Sequence, residues 1–263
     1  MFSILPLDAR SNFRLQPFGL IYISIMSAAD LTATIRQIEG LAPRRAVQLQ
    51  QELRHTVRLR PLKTVPRLLA GADVSYKRGD THLYAAVVVW DRTTGEILET
   101  TGVKRVPHMP YIPGLLSFRE VPSVLLAFQR LQNKPGLLIC DGQGLAHPRR
   151  FGLACHLGIL LKIPTVGCAK TRLCGTHREP ANSRGSKTKL YDGKEQIGTV
   201  LRTRDAVKPV YVSPGHLCDF TGAESVVLAA ATRYRLCDPI RMAHSTVNAM
   251  RRQDARSDTH PDR

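Results

Sequence analysis

Three carboxylates stand where a carboxylate is costly. Asp73 interrupts the apolar run Leu69-Ala70-Gly71-Ala72-Asp73-Val74. A charge inside a buried strand has to be paired, hydrogen-bonded or bound to a metal. Asp141 ends the run Leu137-Leu138-Ile139-Cys140 and is followed at once by Gly142-Gln143-Gly144. Ligands of α/β sheets gather at the carboxyl ends of strands. Glu120 lies in Leu116-Ser117-Phe118-Arg119-Glu120-Val121-Pro122. Brought together, three such groups form a hard-oxygen site for Mg²⁺, the chemistry of phosphodiester hydrolysis. Each also has a plainer reading. Glu120 fits a capping-box partner of Ser117, Asp73 a strand-end hydrogen-bonding residue, and Asp141 a turn former.

The surrounding elements must position these groups. Residues 30–58 read as helical with one break, Pro43 suiting a first helical turn. Strands follow at 68–76, 84–90 and 97–106, the last two joined by Thr93-Thr94-Gly95, which predicts an antiparallel meander. A helix over 117–131 starts at a Ser117 cap. Strand 137–140, helix 149–161 and strand 164–168 make a parallel βαβ unit. Residues 196–202 and 210–213 form a late hairpin, and 225–234 and 240–250 close the fold as helices. The fold class is therefore α/β: a mixed sheet with a three-stranded antiparallel meander, parallel strands, and helices on both faces. That order is the one of a ribonuclease H-like sheet, and other α/β folds share so coarse an order. One domain, without an internal linker, spans 27–250. Met26 reads as the native start, with 1–26 a disordered upstream extension and 251–263 a disordered polar tail.

With 263 residues and 43% hydrophobic content the chain can build one core without staples. Its 38 Lys+Arg against 21 Asp+Glu give a net charge of +17. Such an excess favours a polyanion, because neutralised phosphates release counterions; nucleic acid ranks ahead of an anionic surface. Basic residues concentrate in 169–210, among them Lys170, Arg184, Lys187, Lys189, Arg202 and Arg204. There, 182–186 reads as a mobile loop gripping a nucleic-acid backbone, or as a solvated loop with no ligand. Six cysteines without a CxxC pair argue against zinc and for a reducing, cytoplasmic setting. The apolar run 18–26 is too short to cross a bilayer, so no membrane partner is expected.

Four ordered segments carry a resemblance: GADVSY (71–76), PYIPGLLSFREVP (110–122), CDGQGLAHPRRFGLACHLGILLKIPTVGCAKTRLCG (140–175) and YRLCDPIRMAH (234–244). They closely resemble the endonuclease V family over about 31–250. The resemblance implies a ribonuclease H-like fold and a monomeric DNA-repair endonuclease using Mg²⁺, with Mn²⁺ able to substitute. It implies a nick at the second phosphodiester bond 3′ to a deaminated purine such as deoxyinosine, leaving a 5′-phosphate and a 3′-hydroxyl. Inosine-containing RNA is an alternative substrate. A general ribonuclease H-like nuclease and a non-catalytic nucleic-acid-binding protein are the competing readings.

By motif, Asp73 and Asp141 correspond to the family's metal-binding aspartates and Glu120 to its third carboxylate. Lys170 matches the lysine of the GCAK segment, a candidate to neutralise the attacked phosphate. His147 matches the histidine of DGQGxAHPR, as a phosphate contact or a cap of the following helix. Gly142 and Gly144 suit close backbone approach of a nucleic-acid strand, or only a tight turn. Tyr111 matches the aromatic of the PYIP wedge, or packs on the core. His244 stands where many members have aspartate and others have histidine. Imidazole binds hard Mg²⁺ poorly, so His244 reads as a residue that handles a proton or orients water rather than a direct ligand.

Overall fold

The computed structural model describes residues 28–77 and 79–259. Its central strands are apolar on both sides because helices cover both faces. In β1 (Leu68–Ser75), Ala70 and Ala72 face one hydrophobic cluster and Leu69 faces another. β4 (Leu137–Cys140) divides in the same way, Leu138 and Cys140 against Leu137 and Ile139. This is the two-residue side-chain period of a strand written into a continuous apolar run.

The remaining strands are β2 (Leu83–Asp91), β3 (Ile97–Arg105), β5 (Thr165–Ala169), β6 (Lys187–Asp192), β7 (Glu195–Leu201) and β8 (Val210–Pro214). One eight-stranded sheet runs β3-β2-β1-β4-β5-β8-β7-β6. β1, β2 and β3 form the expected antiparallel meander. β4 lies parallel to β1 and β5 parallel to β4. β8, β7 and β6 continue antiparallel. On the first face lie α1 (Ala28–Glu39), α2 (Pro43–Leu53), α3 (Leu116–Gln129) and α4 (Leu153–Leu161), through residues such as Ile35, Leu49, Phe118 and Leu157. On the second lie α5 (Phe220–Ala230) and α6 (Asp238–Thr259), through Val226 and Ile240. Among the described residues no helix is long and apolar enough to cross a membrane.

The structure corrects several expectations. Ser117 is not a cap: α3 begins at Leu116, and the Ser117 hydroxyl is buried. α4 starts at Leu153 rather than 149, because Arg150 takes a left-handed φ of 56° and Gly152 is extended. β6 went unrecognised; the Asp192-Gly193 turn joins it to β7 as a hairpin. The segment 182–186 is tied in place: Arg184 N donates to Asp205 Oδ1 at 2.5 Å, and Gly185 N to Arg202 O at 2.8 Å. The tail expected to be disordered from Arg251 is helical through Thr259. Asp254 holds it to the sheet, accepting from Tyr84 Oη and from Lys104 Nζ at 2.5 Å each. Val247 and Met250 pack beside Tyr84. The extension 1–26 and the last four residues lie outside the described residues.

One contact on the second face sets the position of α6. A Cβ on Gly71 would lie 2.2 Å from the carbonyl carbon of Pro239. Only a residue without a side chain lets β1 and the first turn of α6 come so close. Gly71→Ala must therefore displace α6. It should destabilise the fold by about 1–3 kcal/mol, the usual cost of overpacking, and lower the melting temperature by several degrees. An unchanged thermal melt would show that the close packing is not as described.

Candidate active site

Odd-numbered residues of β1 face α6, so Asp73 follows Gly71 on that side. The Asp73 carboxylate is 6% exposed. Its Oδ1 accepts from Val74 N at 2.8 Å, and its Oδ2 lies 2.6 Å from His244 Nδ1 on α6. Asp141, the first residue beyond β4, is held level with β1 by donating its amide to Ala72 O at 2.9 Å. Lys170, the first residue beyond β5, reaches back so that Nζ donates to Asp141 Oδ2 at 2.7 Å. Three parallel strands thus place three of the candidate residues along one edge, as strand ends in such sheets do. Asp73, Asp141 and His244 offer ligand atoms within 4.8 Å of one another.

Glu120 enters from α3 on the first face. Tyr76 Oη, just past β1, donates to Glu120 Oε1 at 3.4 Å. The Glu120 carboxyl is pushed up to about 8, chiefly by burial, then by the charge of Asp73 and, less, of Asp141. Asp73 is raised as well, first by burial and then by Asp141, against the lowering hydrogen bonds from His244 and Val74. These groups repel one another in a low-dielectric setting, and among the described residues Lys170 is the one lysine ion-paired to any of the three. A set of carboxylate oxygens carrying excess negative charge fits a hard divalent cation.

Beside the carboxylates lies a cavity of about 320 Å³. Leu116, Leu153 and Leu173 give it apolar walls, and Glu120, Asp141 and Lys170 line it. Ser117 and Gln143 line it as well, and their Oγ and Oε1 are buried without a protein hydrogen-bond partner. Gln143 is oriented by donating Nε2 to Thr171 O at 3.1 Å. Gly142 lines the cavity, with room for a Cβ at ordinary contact from Leu153. Gly144 does not. It is buried beneath β8, where a Cβ would sit 2.0 Å from Pro214 O, and its amide donates to Ser213 Oγ at 2.8 Å. The close approach that Gly144 permits is to this chain's own strand.

The loop 110–114 borders the cavity through Gly114. Tyr111 at its tip is 59% exposed, which removes the core-packing reading, and its ring centroid is 6.5 Å from that of Tyr76. At the loop's base three donors converge on Gly114 O: Gln50 Nε2 at 3.0 Å, Arg149 Nη2 at 2.6 Å and His147 Nε2 at 3.2 Å. His147 Nδ1 accepts from Arg149 N at 3.1 Å, which fixes the proton on Nε2. Burial first, then Arg149, pushes His147 down to about 4, so its ring is neutral with both nitrogens engaged. His147 neither caps α4 nor offers a charge; it braces the loop. Gln50, fully buried on α2, completes the brace by accepting Arg149 Nε at 2.5 Å. The sequence reading missed Gln50, Tyr76, Gln143 and Arg149. The signal for Gln50 is a polar residue on the buried stripe Ala46, Leu49, Gln50.

The basic segment is less uniformly solvated than its composition suggests. Lys187 pairs with Glu224. Arg202 is 4% exposed and donates to Ala181 O at 2.6 Å, to Pro180 O at 3.0 Å and to Glu179 at 2.9 Å. Lys187 thus ties β6 to α5, and Arg202, just past β7, ties down residues 179–181.

Comparison with known proteins agrees with this architecture. The sequence model of the Endonuclease V family matches residues 51–245. An endonuclease V of Alkalilimnicola ehrlichii is 49% identical over 204 residues, 77% of this chain and 89% of that one. The crystal structure of endonuclease V from Streptomyces avermitilis superposes with a TM-score of 0.78 at 38% identity, covering 82% of this chain and 96% of that one. Endonuclease V of Ciona intestinalis, solved in complex with a 24-mer DNA containing an inosine followed by a ribo-adenosine, shares the fold: TM-score 0.68, 24% identity, 78% of this chain and 96% of that one. With its ribonuclease H-like sheet, its carboxylate edge and this likeness along most of its length, the chain belongs to the endonuclease V family of metal-dependent endonucleases.

Proposed function

We propose that this endonuclease nicks DNA at deaminated purines, hydrolysing the second phosphodiester bond 3′ to deoxyinosine and leaving a 5′-phosphate and a 3′-hydroxyl. The observation that carries the reading is the meeting of Asp73, Glu120, Asp141 and Lys170 beside a cavity of about 320 Å³ under an exposed aromatic tip. The inosine-containing DNA bound by the Ciona relative supports the choice of lesion.

Asp73 and Asp141 would hold Mg²⁺ or Mn²⁺. Bound there, the ion supplies Lewis-acid stabilisation of phosphoryl charge. His244 fixes the rotamer of Asp73 through the 2.6 Å bond. Lys170, already at the edge of the cavity, neutralises a second share of the charge on the attacked phosphate. With positive charge beside it, Glu120 returns toward its carboxylate form and accepts a proton from the attacking water. The cavity takes the unstacked base, between the polar residues Ser117 and Gln143 and leucines that exclude water. Tyr111 fills the gap left in the stack, offsetting about a few kcal/mol of unstacking.

Chelation with EDTA should abolish nicking of an inosine duplex, and added Mg²⁺ or Mn²⁺ should restore it. Asp73→Asn or Asp141→Asn should lower the nicking rate by about a thousand-fold, matching the loss of several kcal/mol, while oligonucleotide binding persists. Nicking at the full rate by either variant at millimolar Mg²⁺ would sink the site. Matched inosine DNA and RNA strands, assayed side by side, identify the preferred substrate.

Tyr111→Ala offers a separate test. Its ring is exposed, so melting should stay within about 0.5 kcal/mol of the parent. Capture of inosine in a duplex should weaken far more than capture in a single strand. Equal losses on both substrates would remove the wedge role.

A further inference from the structure

A second cavity, of about 430 Å³, lies away from the carboxylates. It is lined by Arg184, Thr203, Arg204, Thr232, Arg233 and Tyr234. The sheet places it on the same edge as the active site. Leu201 at the end of β7 is level with Val210, and the β8 residue beside Val210, Tyr211, pairs with Ala169 next to Lys170. Arg235 makes the connection physical. Its Nη2 donates to Lys170 O at 2.6 Å and to Pro209 O at 2.8 Å, while its own carbonyl accepts from Thr203 Oγ1 at 2.6 Å. Arg233 is two residues away, at most about 7 Å of chain.

The three guanidinium groups are presented rather than neutralised. Arg184 Nη2 is anchored on the carbonyls of Leu228 (2.8 Å) and Ala231 (3.2 Å), at the end of α5. Arg204 Nη1 is anchored on Arg233 O at 2.6 Å. Carbonyl anchors fix direction and leave the charge in place. No described Asp or Glu lines the cavity or forms a salt bridge with any of the three. The nearby carboxylates are otherwise engaged: Asp205 accepts the Arg184 amide, and Asp238 accepts from Thr232 and Arg241. Beside the arginines, the Tyr234 ring is 48% exposed and held by the Arg241 guanidinium 4.2 Å from its centroid. Oriented arginines next to an exposed aromatic ring are the chemistry of single-stranded nucleic-acid binding, with charge for a phosphate and a π-face for the adjoining base.

We infer that this cavity is a second contact for the substrate strand: it grips one backbone phosphate a few nucleotides from the cut and stacks the neighbouring unpaired base on Tyr234. The inference rests on the proposed nicking of nucleic acid and adds a site of its own. A strand leaving the carboxylates past Lys170 follows the Arg235 connection directly to it. Its role is to lengthen the footprint, holding the scissile segment in register while the base is inspected.

The test uses the full chain, EDTA to prevent cleavage, and inosine-containing single strands shortened stepwise from the 3′ end or from the 5′ end. Wild-type affinity should fall by a step at one length in one of the two series. Arg233 is exposed and has no ion pair among the described residues, so Arg233→Glu should fold normally, as a thermal melt will show. It should weaken long strands about ten-fold, abolish the length step, and reduce the salt slope by about 0.7 or more. Tyr234→Ala should weaken long strands roughly ten-fold with the salt slope retained, and should lose its effect on a strand abasic at the stacked position. Identical length dependence in wild type and Arg233→Glu would overturn the inference. So would equal weakening on the shortest strands, which would mark diffuse charge instead. Wild-type nicking with Mg²⁺ on the same inosine strands is scored separately, so a failure of the proposed reaction is told apart from a failure of this second contact.

Discussion

Three carboxylates of like charge are held together by a scaffold that gives them little room to part. Asp73 and Asp141 are fixed by backbone: one lies within β1, the other begins where β4 ends and is tied to Ala72. Glu120 rides on α3, whose neighbours Phe118 and Val121 are fully buried. A flexible site would relieve the repulsion by moving apart, and a buried one by taking up protons. Burial on both faces of the sheet removes the first option, and the raised Glu120 and Asp73 record the second. The structure therefore stores a demand for positive charge at the carboxyl edge. Lys170 meets part of it, and an electropositive ligand is drawn to the rest.

Holding that arrangement requires close packing from opposite directions. On the second face, Gly71 lets α6 descend until His244 meets Asp73. On the first, the cavity is bordered by a loop, and a loop needs bracing. Gly114 O collects donors from α2 and from the segment after β4. Gln50 bridges these parts with all of its polar atoms engaged, a fully satisfied buried network that specifies one geometry. Such a brace leaves the exposed Tyr111 on a loop with a fixed base.

How far the sequence exposes this design depends on the signal each feature leaves. A polar residue in an apolar run stands out, so the placement of Asp73 within β1 and of Asp141 at the end of β4 is legible in the sequence. The meander and the βαβ unit were legible because continuous apolar strands are bounded by turns. Ser117 was misread as a cap because serine followed by glutamate at the third position is also the spacing that turns two side chains to one helix face. Here that face is the cavity. β6 was missed because its exposed lysines obscure the alternation of an edge strand. The last turns of α6 were missed because Asp254 bonds, not apolar burial, hold them down. Gly144 shows the converse: close backbone approach was read correctly from glycine, but the partner, Pro214 on a strand about seventy residues later, is a fact of topology.

The same distinction separates charge from its use. A net charge of +17 says only that an anion is favoured. Arg202, buried under four acceptors, and Lys187, paired with Glu224, are consumed by the fold. Arg235 is partly consumed too, but its position is instructive. One guanidinium joins the backbone of Lys170 to Pro209, and its carbonyl holds Thr203, so three segments distant in sequence cross there. Leaving such carbonyls unsatisfied costs about 1–3 kcal/mol each. The backbone that carries Lys170 is thus fastened to the wall of the arginine cavity. A strand bound along this edge would meet Arg184 and Arg204 already anchored on backbone carbonyls, with less reorganisation left to oppose binding.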